Sequence, residues 1–231
     1  KCTEGLDGLR DRLAEYRERG ARFTKWRAVF TIGPETPSEL CVHVIAVELA
    51  RFAALSQEAQ LVPIIEPEVL MDGAHTIERS ADVTGRVLQA VFAELHLQRV
   101  QLEDLLLKTN MVVSGCDSPD QAAPDETAYW TIRCLKRHVP VAVPGIVFLS
   151  GGQSDLTATL NLDAINRHGG HPWELSFSFG RALQSSALRA WADDPTHPES
   201  AQRELQRRAA ETAAARTGTF APSGPPVGTH V

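Results

Sequence analysis

Lys108 lies in "DLLLKTNMVVSG", residues 104–115, between a run of leucines and an apolar Met-Val-Val. A lysine in such surroundings has two readings. Its stem can lie along apolar surface while the ammonium reaches water. Alternatively the amine is desolvated, gives up its proton more easily and attacks a carbonyl carbon. The second reading gains weight from other residues. Lys25 and Arg27 stand two apart in "RFTKWRAVF", and Glu66 and Glu68 stand two apart in "LVPIIEPE". On a strand, residues two apart point to the same face. A buried Lys108 beside a second cation, Lys25, is suited to forming an imine, because burial and like charge both disfavour the ammonium. The protonated imine draws electrons from a neighbouring carbon–carbon bond and eases its cleavage. Imine formation and hydrolysis need proton transfers, and Glu66 is the carboxylate placed for them, with Glu68 able to orient Lys25 or to support the base. Two further runs end in phosphate-binding chemistry: "GIVFLSGG" in Ser150-Gly151-Gly152, and "ELSFSFGR" in Gly180-Arg181. Short glycine turns entering helices expose backbone N–H groups to an anion, and Arg181 adds a charge-assisted clamp. The structural alternative is a set of salt bridges closing the strand ends, with Glu66 paired to Lys25 or Arg27.

The elements that carry these residues alternate along the chain. "DGLRDRLAEYRERG" reads as a helix with Gly20 as its stop, and "RFTKWRAVFTI" as a strand. "SELCVHVIAVELARFAALSQEA" reads as a helix and "LVPIIEP" as a strand, followed by the helix "GAHTIERSADVTGRVLQAVFAELHLQ" and the strand "DLLLKTNMV". "APDETAYWTIRCLKRHV", "QSDLTATLNLDAIN" and "RALQSSALRAWAD" read as helices interleaved with the strands "GIVFLSGG" and "ELSFSFG". A last helix, "ESAQRELQRRAAETAAART", is polar enough to predict a surface position, and residues 217–231 read as a flexible Gly/Pro-rich tail. Strands alternating with helices make the class α/β, and continuous apolar runs are typical of parallel strands covered on both faces. A doubly wound open sheet and a (β/α)₈ barrel both satisfy this pattern. No G-x-G-x-x-G fingerprint is present, so dinucleotide binding has little support. In a barrel, catalytic residues gather at the C-terminal ends of several strands, as the polar residues do here.

Bulk properties narrow the function. The chain has 231 residues and a net charge of −6, which argues against a nucleic-acid partner. Cys2, Cys41, Cys116 and Cys134 form no C-x-x-C pair, so neither a zinc site nor a redox motif is indicated, and reduced thiols in a cytoplasmic protein are expected. No apolar run has the length of a membrane span, and no signal peptide is recognised.

"TKWR", "VPIIEPEVL", "LLLKTNMV", "FLSGGQS", "LNLDAIN" and "FSFGRALQSSALRAW" together closely resemble class I fructose-bisphosphate aldolase. The resemblance runs from "GLDGL" to "PSG" and implies a (β/α)₈ barrel. It also implies reversible, metal-independent cleavage of fructose 1,6-bisphosphate to dihydroxyacetone phosphate and glyceraldehyde 3-phosphate through a lysine Schiff base, usually by a homotetramer. By motif, Lys108 resembles the Schiff-base lysine, Glu66 the general acid/base, Lys25 the assisting lysine and Glu68 its carboxylate neighbour. Arg27 resembles a contact to the far phosphate. Ser150, Gly151, Gly152, Gly180 and Arg181 resemble the cradle for the phosphate nearest the ketone.

The resemblance covers the family from its fourth strand onward. It therefore implies an N-terminally incomplete barrel with five of eight βα units over residues 1–216, which the non-Met start also suggests. An active-site aspartate on the first strand and a lysine on the third would lie upstream. The family places Pro after the Schiff-base lysine, where this chain has Thr109, and many members end in a tyrosine where this chain ends "GTHV". Two other functions fit the same residues: a Schiff-base lyase for a monophosphorylated ketose, and a non-catalytic binding or scaffold descendant.

Overall fold

Three of the helices begin on side chains that satisfy an orphaned backbone N–H. In the computed structural model, which describes residues 2–222, Ser38 accepts from the Cys41 N–H, Thr76 from Arg79 and Ser154 from Thr157. These caps open α2 (Glu39–Glu58), α3 (Ile77–Leu97) and α5 (Asp155–His168). The helix α4 (Pro124–His138) starts on a proline, with Asp125 and Glu126 in its first turn and Lys136, Arg137 and His138 in its last, the order the helix dipole favours. The remaining helices are α1 (Leu9–Glu18), α6 (Arg181–Asp193) and α7 (Glu199–Arg216).

The strands are β1 (Phe23–Phe30), β2 (Val62–Val69), β3 (Leu106–Thr109), β4 (Gly145–Phe148) and β5 (Glu174–Phe177). All neighbouring pairs are parallel, and the order in the sheet is β1-β2-β3-β4-β5. A doubly wound sheet reverses its strand order at a switch point. Here it never reverses, so the sheet is built as a barrel wall, five of the eight units a closed barrel needs.

Register divides the residues between two faces. Trp26, Ala28, Phe30, Ile65, Leu107, Ile146, Phe148 and Leu175 are buried in the helix-facing core. Lys25 and Arg27 alternate with this set on β1, as do Glu66 and Glu68 on β2 and Lys108 on β3. They share the opposite, barrel-interior face, which is half open along β1: Val29 is 37% exposed there.

Two elements differ from the sequence reading. The third strand stops at Thr109, because the Asn110 side chain leaves the strand to accept from the Val69 N–H across the seam. The polar helix α7 is only partly a surface element: Arg208, Thr212 and Ala215 are buried where it packs on α5 and α6. Thr219 donates its backbone N–H to Ala214 O, and the Phe220 N–H is held by Asp163 Oδ1 at 2.8 Å. Residues 223–231, the greater part of the sequence-predicted tail, lie outside the described residues.

Candidate active site

Glu66 is the centre of the constellation. Its carboxylate is buried at 2% exposure. Lys108 Nζ lies 3.0 Å from Oε1, and Lys25 Nζ lies 3.1 Å from Oε2. The Lys25 contact is Coulombic rather than an aligned hydrogen bond, since Oε2 has no hydrogen-bond partner among the described residues. A buried carboxylate set between two amines is placed to exchange protons with them. The two lysines differ in access: the Lys25 side chain is 42% exposed and that of Lys108 14%. The sequence reading set the two cations side by side; the structure places a carboxylate between them.

Two residues along each strand, the pattern repeats. Arg27 Nε donates to Glu68 Oε2 at 2.6 Å, with Glu68 buried and Arg27 half exposed. The bond to Glu68 is the main reason the Arg27 guanidinium is held above its ordinary pKa, so Arg27 stays charged. Glu68 thus partners Arg27, and the expected role of orienting Lys25 falls to Glu66. The ion pairs of the structural alternative are therefore present too, and they use the same atoms.

The seam between β2 and β3 positions this group. Backbone pairing there covers only Ile64–Ile65 with Leu106–Leu107. Pro67 has no N–H to continue it. Side chains close the gap: Thr109 Oγ1 reaches Pro67 O at 3.4 Å, and Asn110 Oδ1 accepts from Val69 N at 3.0 Å. Asn110 Nδ2 donates onward to Thr84 Oγ1 of α3 and to Met111 O. Sequence reasoning missed Asn110. Its only signal was a polar amide inside an otherwise apolar strand end.

The loops after β4 and β5 lie at the same end of the sheet. Gly151 and Gly152 hold φ of 60° and 97°, conformations that glycine adopts without strain. The turn is closed by Gln153 N–H donating to Ser150 O at 3.0 Å, and Ser150 is buried. Across from it α6 begins at Gly180 with no side-chain cap and no acidic residue in its first turn, which leaves its N–H groups open to an anion. A Cβ added to Gly152 would stand 4.0 Å from Arg181 Nη2, so the guanidinium reaches over the glycine turn. The structure thus brings Lys25, Glu66 and Lys108 into one cluster, joins Arg27 to Glu68 beside it, and sets Ser150–Gly152 against Gly180–Arg181. A cavity of about 520 Å³ between α3 and α4 contains none of these residues. Among the described residues no group of His, Cys, Asp and Glu could hold a metal, and no helix is long and apolar enough to cross a membrane.

The family model described as fructose-bisphosphate aldolase class-I matches residues 1–228. Fructose-bisphosphate aldolase 1 of Toxoplasma gondii is 51% identical over 222 residues, which are 95% of this chain and 61% of that protein. Cytosolic fructose-bisphosphate aldolase 4 of Arabidopsis thaliana is 52% identical over 94% of this chain and 56% of its own length. The crystal structure of the Plasmodium falciparum aldolase, in complex with TRAP and a small-molecule inhibitor, superposes with a TM-score of 0.93 at 45% identity. It is covered over 64% of its chain by 95% of this one. The chain spans about three-fifths of the length of the relatives it matches. With a matching family model, about half of its residues shared with these enzymes and its fold superposing on a solved aldolase at a TM-score of 0.93, the chain belongs to the class I fructose-bisphosphate aldolases.

Proposed function

We propose that this chain carries the imine-forming site of a fructose-bisphosphate aldolase, a carbon–carbon lyase of glycolysis and gluconeogenesis. The observation that carries the reading is the buried Glu66 carboxylate in contact with two lysine ammoniums on neighbouring strands. Lys108 is the less exposed of the two and serves as the nucleophile. Its ammonium first passes a proton to Glu66; the free amine then adds to the ketone of fructose 1,6-bisphosphate, and the carbinolamine loses its hydroxyl as water when Glu66 returns that proton. The resulting iminium accepts the electron pair of the carbon–carbon bond one carbon away as the hydroxyl on the departing carbon gives its proton to the ionised Glu66. Glyceraldehyde 3-phosphate leaves and an enamine remains. Protonation of the enamine and hydrolysis release dihydroxyacetone phosphate and restore the amine.

Lys25 holds the second oxygen of Glu66 and stabilises its ionised form between proton transfers. Glu68 fixes Arg27, whose remaining nitrogens face the far phosphate. Ser150, Gly151, Gly152, Gly180 and Arg181 hold the phosphate nearest the ketone. The chemistry uses a covalent lysine adduct and needs no metal. Residues 1–216 act as one partial barrel unit with residues 217–231 as a tail. The protein works as a homotetramer in the cytoplasm, in keeping with the cytosolic naming of its plant relatives.

A borohydride trap tests this reading. The 231-residue chain is incubated with dihydroxyacetone phosphate, reduced, digested and searched for the mass adduct. The same is done with an eight-strand form in which three βα units precede it. An adduct on Lys108 in either form supports the assignment. Its absence from both overturns it.

A further inference from the structure

Arg208 is an arginine with only 2% of its surface exposed, in a helix whose composition is otherwise polar. Removing a guanidinium from water is costly unless its donors are satisfied. They are, and by a particular set of partners. Nη1 reaches Glu211 Oε2 at 2.5 Å within α7. Nε and Nη2 both donate to Ala182 O, at 3.2 and 2.9 Å. Nη2 also reaches Asp155 O and Thr159 Oγ1, each at 2.9 Å. One planar fork therefore ties the first turn of α6 to the first turn of α5.

Those two turns follow directly on the two loops of the phosphate cradle. Asp155 comes three residues after Gly152, and Ala182 is the residue after Arg181. Stability alone does not explain a buried ion pair, because a hydrophobic side chain of similar volume commonly serves as well. A hydrophobic residue could not fix the Ala182 carbonyl against the Asp155 carbonyl, and a lysine offers a single point charge rather than a rigid fork. We propose that Arg208 is a positioning residue of the phosphate site: by bridging the starts of α5 and α6 it sets the gap between the Ser150–Gly152 turn and Gly180–Arg181. This rests on the reading of those residues as a phosphate cradle. Arg208 itself touches no substrate; it acts through the spacing of backbone N–H groups and through the reach of Arg181.

The test compares Arg208→Met, Arg208→Lys, Arg181→Ala and the Arg208→Met/Arg181→Ala pair, in the 231-residue chain and in the eight-strand form. Two ligands are used in borohydride trapping: dihydroxyacetone phosphate, and dihydroxyacetone, which makes the same imine without a phosphate. The expected result is a rise of about tenfold or more in the half-saturating dihydroxyacetone phosphate concentration for Arg208→Met. Trapping of dihydroxyacetone stays unchanged, and Arg208→Met costs less once Arg181 is gone than it does alone. Arg208→Lys shows the same selective loss while retaining charge and stem, and it carries the test if Arg208→Met does not fold. A lowered Tm with an unchanged ratio between the two ligands overturns the proposal and leaves Arg208 as a packing residue. Fully additive losses at Arg208 and Arg181 also overturn it. If Arg181→Ala itself leaves the ratio unchanged, the phosphate cradle is wrongly placed, a failure distinct from that of Arg208 alone.

Discussion

Glu66 and Lys108 meet at 3.0 Å just beyond the point where β2 and β3 stop pairing backbone to backbone. Their strands are held there by side chains instead, so the pair sits where the sheet has parted but has not been released. A carboxylate in that position can exchange protons with the amine on one side, while Lys25 contacts its other oxygen.

Replacing Glu66 by Gln keeps the shape and removes the proton carrier. Turnover of fructose 1,6-bisphosphate in the eight-strand form should fall by roughly 10²–10⁴-fold. Lys108 should still be trapped by dihydroxyacetone phosphate at long incubation, more slowly than in the unaltered chain. Single-turnover trapping rates measure this. A rate within threefold of the original would remove Glu66 from the proton-transfer role.

Arg27→Ala strips the partner from a carboxylate that is 4% exposed. Breaking a fully buried pair costs about 3–5 kcal/mol. Arg27 is half exposed, so water can replace part of the lost contact. A loss of about 1–3 kcal/mol in unfolding free energy is therefore expected. In kinetics KM should rise for fructose 1,6-bisphosphate and stay near its original value for fructose 1-phosphate, which lacks the far phosphate. Equal effects on both sugars would place Arg27 elsewhere than at that phosphate.

Asn110→Ala separates the seam from the site it supports. The Val69 N–H and Thr84 hydroxyl lose their partner in a buried setting. An unsatisfied buried group costs about 1–3 kcal/mol, so denaturant unfolding should show a loss near the upper end of that range. Thr109→Val should stay within about 0.5 kcal/mol, because both hydroxyl contacts are at the long limit of 3.4 Å. The reverse ranking would make Thr109, the residue standing where the family has proline, the true staple.

The contrast between these two neighbours shows what the sequence could carry. Lys25, Arg27, Glu66 and Glu68 were placed on one face by period-2 spacing alone, and the parallel register brings them together as that spacing requires. The α/β class followed from the alternation of apolar runs with amphipathic stretches. The choice between a barrel and a doubly wound sheet did not, since both alternate in the same way and differ only in which strands become neighbours. Pairings between distant residues were equally hidden. That Glu68 takes Arg27 rather than Lys25 depends on the diagonal offset of two strands. That Asn110 leaves its strand depends on a proline forty-three positions earlier, Pro67, on the neighbouring strand. The polar helix α7 hid Arg208 because composition reports the average of a helix, and a single buried guanidinium leaves that average unchanged.

His138 gives the fold an acid-sensitive point away from the site. Its imidazole packs on Gly85 of α3, where an added Cβ would stand 2.6 Å from Nε2. Burial first, and then the neighbouring Arg137, hold its pKa below the ordinary 6.5. Arg86 and Arg133 line the same cavity, with Glu78 and Asp82 as the acids facing it from α3. A base whose folded pKa is lowered binds fewer protons in the native chain than in the unfolded one. Its contribution to stability is therefore fully present above pH 6.5 and is lost as the pH falls from there through the folded value. His75 is shifted in the same direction, by burial and then by Arg79, against a smaller opposing effect of Asp72, and adds to the same slope. His138→Gln should make the Tm fall less steeply than in the unaltered chain as pH is lowered from about 7 to about 5, with the two curves parallel above neutrality. Thermal melts across that range decide the point: parallel curves throughout would mean that protonating His138 does not oppose the fold.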